Sequence, residues 1–363
     1  MVENKILLHA RFKLNGVSYS KESLGNHAKE LEIKGKPFET QIGAFLLEWL
    51  NNSSNINVKT SGSTGTPKTI AIQKKQMMNS AIATGTFFNL KEGDTALLCL
   101  SAEYIAGKMM LVRAMVLGLA IDTVDPSSLP LSLNSKTYDF CAMVPLQLQK
   151  VLHQLNQFKT LIVGGAPMPQ SLQSALKDSS MNVYATYGMT ETVTHIALKQ
   201  VSGVRDQQSE NLDDVFIGLP NVRFTQDERN CLMINAPNVA DNLVVTNDVV
   251  ELLSNNSFKW LGRFDNIINS GGLKLNPEII EQKLSNIIAT RFFVAGVADG
   301  RLGHRLVLIV EGNQNTEALL QKLKAEATLS RFEFPKEVYR LPKFLETKTG
   351  KILRSANLQL IQK

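Results

Sequence analysis

The sequence predicts an α/β protein in two parts, a large N-terminal domain and a small α+β C-terminal domain. Three observations predict it. From about residue 68 to 190, apolar strand-like runs alternate with helical patterns, which is how a parallel sheet with covered faces is written. From about 213 to 262 the segments shorten into strands separated by Asn and Asp turns, a small β subdomain. Beyond Gly262-Arg263-Phe264-Asp265-Asn266 about a hundred residues form a third pattern, strands and helices in mixed order. The expected division is 1–262 for the large domain and 263–363 for the small one, with a hinge near 263–266.

The elements follow in order. Ile6–Leu14 reads as a strand, and Asn15-Gly16 is a strong turn signal. Pro37–Leu50 is an amphipathic helix that stops near Asn51-Asn52, and Lys74–Phe88 is a second helix. Thr95–Leu100 is a strand, Met109–Leu119 a helix, and Tyr138–Val144 a strand. Pro145 opens a helix at its first turn, where its missing N–H costs nothing. Thr160–Val163 and Asn182–Thr186 are strands with the helix Met168–Lys177 between them. In the last part, Asn276 caps a helix that begins at Pro277 and runs to Ile288. Phe292–Val297, Arg305–Val310 and Glu337–Leu341 are strands, and Thr316–Ala327 is a helix.

Composition excludes several classes. Hydrophobic residues make up 44% and charged residues 20%, as in ordinary globular proteins. The net charge of +6 comes without a Lys/Arg block or a basic stripe interleaved with aromatics, so no nucleic-acid partner is expected. Cys99, Cys141 and Cys231 lie far apart with no CxxC pair, which points to a reducing cytoplasm. The five histidines show no metal-ligand spacing. The most apolar stretch, Ala106 to Ile121, is broken by Lys108 and Arg113, so no membrane span is expected.

The chemistry centres on Thr60-Ser61-Gly62-Ser63-Thr64-Gly65-Thr66-Pro67-Lys68. Glycines let a backbone turn tightly against a ligand, hydroxyls and N–H groups donate to phosphate oxygens, and lysine adds a point charge. The spacing of Gly62, Lys68 and Thr69 nearly fits a Walker A loop. Pro67 stands where that loop needs glycine, and proline has no N–H to offer, which argues against a P-loop NTPase. Three further loops follow strands, where ligands collect in parallel sheets: Ser101–Gly107, Gly164-Gly165-Ala166-Pro167 and Tyr187-Gly188-Met189-Thr190-Glu191. The last of these carries an aromatic ring, a hydroxyl and a carboxylate in Tyr187, Thr190 and Glu191, groups that can stack on a flat ring, donate to an oxyanion and hold a hard cation.

These motifs, in this order, resemble the adenylate-forming (AMP-binding) superfamily of acyl-CoA synthetases, luciferases and peptide-synthetase adenylation domains. The resemblance extends over nearly the whole chain, from Thr60 to Lys351, with Thr69 in place of the loop's final glycine. It implies the adenylate-forming enzyme fold, in which layered sheets and helices with a β subdomain carry a small mobile C-terminal domain. It implies a core shortened at its start relative to the family. It further implies that Thr60, Ser61, Gly62, Ser63, Thr64, Gly65 and Lys68 hold the β- and γ-phosphates, and that Gly164–Pro167, Tyr187 and Gly188 hold the adenine. Thr190 serves the α-phosphate and Glu191 the metal. Asp248, in a Thr-Asn-Asp run where the family has Thr-Gly-Asp, and Arg263 are expected on the ribose, with Asp265 as the pivot. Gly271, Gly272 and Lys274 line the path of the thiol, and Lys351 reaches the reacting carboxylate and α-phosphate.

The implied activity is ATP-dependent formation of an acyl-adenylate and then of an acyl-CoA, with ATP, Mg²⁺ and coenzyme A. Within the superfamily, the run Ser101–Gly107 and the run Tyr187–Leu198 look most like the o-succinylbenzoate–CoA ligases of menaquinone synthesis, with Tyr104 where those carry histidine. The implied partners are a small carboxylic acid and CoA, for a monomer or homodimer. Arg113, Lys108 and Thr194 are candidates for the acyl pocket. Two other readings stay open: another acyl- or carrier-loading adenylating enzyme, and a non-catalytic nucleotide-binding protein.

Overall fold

A computed structural model of the chain describes residues 8–59, 69–130, 136–177, 179–203, 214–325, 329–347 and 352–361. The first described elements form a hairpin, β1 (Lys13–Leu14) and β2 (Val17–Ser18), closed by Asn15 and Gly16 at φ 50° and 82°. Of the expected strand Ile6–Leu14, Ile6 and Leu7 lie outside the described residues, and among the described ones only Lys13 and Leu14 pair, as β1. Helices α1 (Lys21–Lys34) and α2 (Pro37–Leu50) pack on one another. The sequence reading found α2 at these bounds and missed α1. Only Leu24 and Ala28 of α1 are buried, too few to write a helical period.

β3 (Asn55–Lys59) and β4 (Thr69–Gln73) then pair antiparallel, and α3 (Lys74–Phe88) follows. The alternating region gives β5 (Thr95–Leu98), α4 (Ile105–Leu117), β6 (Ala120–Thr123), β7 (Tyr138–Met143), α5 (Pro145–Lys150), β8 (Phe158–Val163), α6 (Gln170–Leu176), β9 (Asn182–Gly188) and β10 (His195–Ser202). The short strands come next: β11 (Val215–Gly218), β12 (Arg223–Gln226), β13 (Cys231–Asn235), β14 (Val244–Ser254) and β15 (Ser257–Arg263). The last part holds β16 (Ile268–Ser270), β17 (Leu273–Leu275), α7 (Pro277–Leu284), β18 (Phe292–Asp299), β19 (Gly303–Glu311), α8 (Thr316–Ala325), β20 (Glu337–Leu341) and α9 (Arg354–Ile361).

The chain divides into two compact units. The first is 1–168 with 176–223 and 234–244, and the second is 169–175 with 224–233 and 245–363. In the first unit, strands run in the order β11-β10-β9-β8-β7-β5-β6-β1-β2. Neighbours from β9 to β1 are all parallel, and β10 is antiparallel to β9 and to β11. The alternating pattern thus forms the parallel sheet that it predicts. Helix α4 packs against α3, β5 and β6 and is buried on every side from Gly107 to Val116. An all-round apolar helix belongs in a core. Its two cations are therefore buried too. Lys108 meets Glu48 at 3.4 Å and lies 5.1 Å from the Phe45 ring centre, which ties it to α2.

In the second unit, β14 and β15 pair antiparallel, and β18, β19, β20, β16 and β17 form a five-stranded sheet. Helices α7 and α8 bury Ile280, Leu284, Leu319 and Leu323 in one of its cores. Phe293, Val307, Ile309, Leu341 and Phe344 make the other.

Candidate active site

In the first unit the site is built at the ends of β8 and β9. Gly164 and Gly165 leave β8, and Gly165 takes φ 82°. A Cβ on Gly164 would stand 2.3 Å from Thr186 Oγ1, so only glycine lets this loop lie against β9. Ala166 and Pro167 continue the loop, Pro167 exposed. Tyr187, the last residue but one of β9, is half-buried, its ring 5.8 Å from that of Phe216. Gly188 is exposed, and the place of its missing Cβ is taken by Thr194 O, 2.3 Å away.

The chain then turns through Thr190–Thr192, a single 3₁₀ turn, before returning as β10. Thr192 is fully buried. Its hydroxyl accepts from Met189 N at 3.1 Å and lies 3.0 Å from Met189 O and 2.9 Å from Thr194 O. This fixes the turn that presents Thr190 and Glu191. Both residues line a cavity of about 270 Å³ together with Ile70, Ala71 and Ile72 of β4 and with Asp241. β4 begins at Thr69, directly after the Thr60–Lys68 run in sequence; that run lies outside the described residues, as does Lys351. The strand leaving the first motif and the turn carrying the second thus share one cleft.

A second cavity of about 280 Å³ lies in the same unit, lined by Asn79, Ser80, Thr86, His195 and Val222 among others. Behind His195 stands Arg113, 1% exposed. Its Nη2 is 3.4 Å from His195 Nδ1, and its Nε donates to Thr84 Oγ1 at 3.4 Å. No carboxylate faces it among the described residues. Burial without an anion pulls the guanidinium down to about 9. Burial, and then the charge of Arg113, hold His195 well below the ordinary imidazole range, so the ring is neutral.

The second unit brings another set together. Asp248 of β14 is buried and pairs in register with Arg263 of β15, Nη1 to Oδ1 at 3.6 Å. Trp260 Nε1 donates to the same carboxylate at 3.2 Å. Arg263 Nη2 also meets Asp265 at 2.9 Å, and Asn247 Nδ2 donates to both oxygens of Asp265 at 3.2 Å. Arg229 Nη1 holds Asn247 Oδ1 at 2.9 Å. Gly271 and Gly272 form the exposed turn between β16 and β17, at φ 59° and 82°, and Lys274 of β17 is exposed. At the C-terminus, Arg354 grips Glu281 through two contacts of 2.6 Å, and the buried Asn357 amide bonds Leu345 and Leu353. Sequence reading missed Thr192, His195 and this clamp; a buried polar residue carries no periodic signal.

Residues 58–225 match the family of AMP-binding enzymes. An acyl-CoA synthetase (AMP-forming)/AMP-acid ligase II-like protein from Dyadobacter fermentans is 37% identical, over 94% of this chain and 99% of its own, with a TM-score of 0.61. This chain belongs to the AMP-binding enzymes, the AMP-forming ligases. Two further relatives have lower identity. The 2-succinylbenzoate–CoA ligase of Escherichia coli is 25% identical over 88% of this chain and 72% of its own length. The o-succinylbenzoate coenzyme A synthetase of Bacillus subtilis, in complex with ATP and magnesium ion, shares the fold at a TM-score of 0.70 and 19% identity, over 95% of this chain and 83% of its own. No helix among the described residues is long and apolar enough to cross a membrane.

Proposed function

We propose that this AMP-forming ligase joins a carboxylic acid to coenzyme A at the expense of ATP, and that the acid is o-succinylbenzoate or a closely similar aromatic diacid. The observation that carries the reading is the cleft shared by Thr190, Glu191 and β4. In the first step a carboxylate oxygen of the acid attacks the α-phosphorus, the bond to the bridging oxygen breaks, and pyrophosphate leaves. In the second a thiolate attacks the acyl carbon and AMP leaves.

Each residue has a part in that sequence. Ser61, Ser63, Thr64 and Lys68 guide the leaving pyrophosphate. Thr190 donates to the α-phosphate. Tyr187 and the Gly164–Pro167 loop hold the adenine, and Asp248 with Arg263 holds the ribose. Glu191 is exposed, and no cluster of three or more His, Cys, Asp or Glu surrounds it among the described residues. A single carboxylate completed by phosphate oxygens is the donor set that Mg²⁺ takes, so the residues fit the ion. Bound there, Mg²⁺ neutralises phosphate charge. Lys351 adds a cation between the carboxylate and the α-phosphate as negative charge develops. The 263–363 domain, turning near Asp265, presents Lys351 for the first step and the Gly271-Gly272 turn for the second.

Arg113 supports the diacid. A buried cation with no carboxylate opposite is costly unless a ligand supplies one. His195, which lines the second cavity, is its neighbour. Three free and buried thiols suit a reducing cytoplasm.

The test is pyrophosphate release from ATP with a panel of acids, o-succinylbenzoate and mono-acid analogues included, with free CoA or a holo-carrier protein as thiol. Multiple-turnover release is expected with o-succinylbenzoate or a closely similar aromatic diacid and free CoA, and not with the mono-acid analogues or with the holo-carrier. Lys351→Ala abolishes adenylation and leaves thiolation of supplied acyl-adenylate largely intact; equal loss of both sinks the two-step account. Gly271→Leu harms thiolation more than adenylation. No exchange with any acid would return the non-catalytic reading.

A further inference from the structure

Val193, which follows the Thr190–Thr192 turn, has φ 65° and ψ −60°. Its backbone forms a γ-turn of positive φ, closed by Thr194 N donating to Thr192 O at 2.7 Å. That conformation is rare and strained, most of all for a β-branched residue. Every other non-glycine residue at positive φ among the described residues is Asn or Asp, which tolerate it. Val193 is 1% exposed, and it lines the cavity with Thr190 and Glu191.

The surroundings over-determine the strained turn. Val193 N donates back to Thr190 O at 3.0 Å. The Thr192 hydroxyl brackets the turn between Met189 and Thr194. Gly188 leaves the space that Thr194 O fills, and Gly188 pairs in register with His195, which closes the hairpin. A ladder irregularity follows between His195 and Ala197. Glycine at 193 would satisfy the same backbone without strain, and it would also free the turn to move.

We infer that Val193 is a positioning residue for adenylation. Its strained, buried γ-turn leaves the turn one conformation and so fixes the aim of the Thr190 hydroxyl and the Glu191 carboxylate into the cavity. The inference rests on the adenylation reading for its chemistry, and on the backbone alone for its strain.

Val193→Gly and Val193→Ala separate the two contributions. At an ordinary buried valine, alanine is the more stable replacement. Val183 of β9, fully buried, serves as that control. At 193 the order inverts: Val193→Gly melts a few degrees above Val193→Ala, as relief of strain outweighs the freedom of glycine. Activity runs the other way. Val193→Ala keeps most of the ATP–pyrophosphate exchange kcat, and Val193→Gly loses about tenfold, with the KM for the acid little changed. A purely structural role moves stability and kcat in the same order. Val193→Gly melting below Val193→Ala, or matching its kcat within twofold, overturns the inference. If the wild type exchanges with no acid, the adenylation reading fails, and the melting order still tests the turn. The positioning claim is then read from the midpoint shift that Mg²⁺ and ATP induce. A smaller shift for Val193→Gly than for Val193→Ala supports it, and equal shifts overturn it.

Discussion

Glu191 and Asp248 are carboxylates held by different means. Glu191 stands on a turn fixed from inside: the Thr192 hydroxyl is buried, its partners are backbone atoms, and Val193 is strained. Asp248, unlike the exposed Glu191, is itself buried, and it is fixed by strand register and by side chains, Trp260 Nε1 and Arg263. Around it the contacts become exposed. Asp265 is 52% exposed, and Arg263 and Asn247 hold it from the surface. Buried backbone satisfaction is expensive to break, whereas exposed ion pairs contribute little and exchange readily with water. The first region is built to stay in one place. The second is held at its rim by contacts that water can replace.

Glu191→Gln should cut ATP–pyrophosphate exchange on the order of 10²–10³-fold, the range for losing one group that stabilises charge at a reacting centre. Asp248→Asn should act mainly on the KM for ATP; a kcat loss as large as that of Glu191→Gln would erase the distinction between the two carboxylates. Thr192→Val keeps the shape and removes the hydroxyl, so Met189 N and its neighbours lose a buried partner. The expected loss is about 1–3 kcal/mol in denaturant unfolding, with the m-value unchanged.

The next effect is in pH. His195 is held neutral in the fold by burial and by Arg113, and its folded pKa lies below its unfolded one. The unfolded chain therefore binds the proton first as pH falls. Stability from this group is intact above the ordinary imidazole value near 6.5 and falls below it by up to about 1.4 kcal/mol per pH unit. Between pH 7 and 5 the wild type should lose stability more steeply than His195→Gln. Parallel slopes would show that the ring is not held neutral. The smallest effect is expected at the surface: Asn247→Ala should change stability by under about 0.5 kcal/mol. A loss as large as that of Thr192→Val would mean that the exposed ring around Asp265 is as rigid as the buried turn.

Much of this fold is legible in the sequence where the signal is local. The bounds of α2 and α3 follow from apolar period, with Pro37 at the first position of α2, and the Asn15-Gly16 turn takes the positive φ values that its residues invite. The alternation of strands and helices forms the parallel order from β9 to β1. Helix α1 was missed because two buried residues in fourteen give no period. The buried polar groups were missed for a related reason. Asn357 and Thr192 look in the sequence like any surface Asn or Thr: Asn357 is made structural by Leu345, twelve residues away, and Thr192 by burial of a turn whose backbone groups it bonds locally.

By itself, the sequence determined the residue types of the candidate site and their order, from Thr60–Lys68 through Tyr187–Glu191 and Asp248 to Lys351. It could do so because hydroxyls, glycines, carboxylates and lysine carry their chemistry wherever they are placed. Tertiary structure alone decided that β4 and the Thr190–Glu191 turn line one cavity, that Arg113 is buried without a carboxylate opposite it among the described residues, and that Val193 lies at positive φ. Valine prefers extended backbone, so nothing local selects that conformation. It is imposed by the closing of β9 onto β10 over Gly188, a contact that exists only once the sheet has formed.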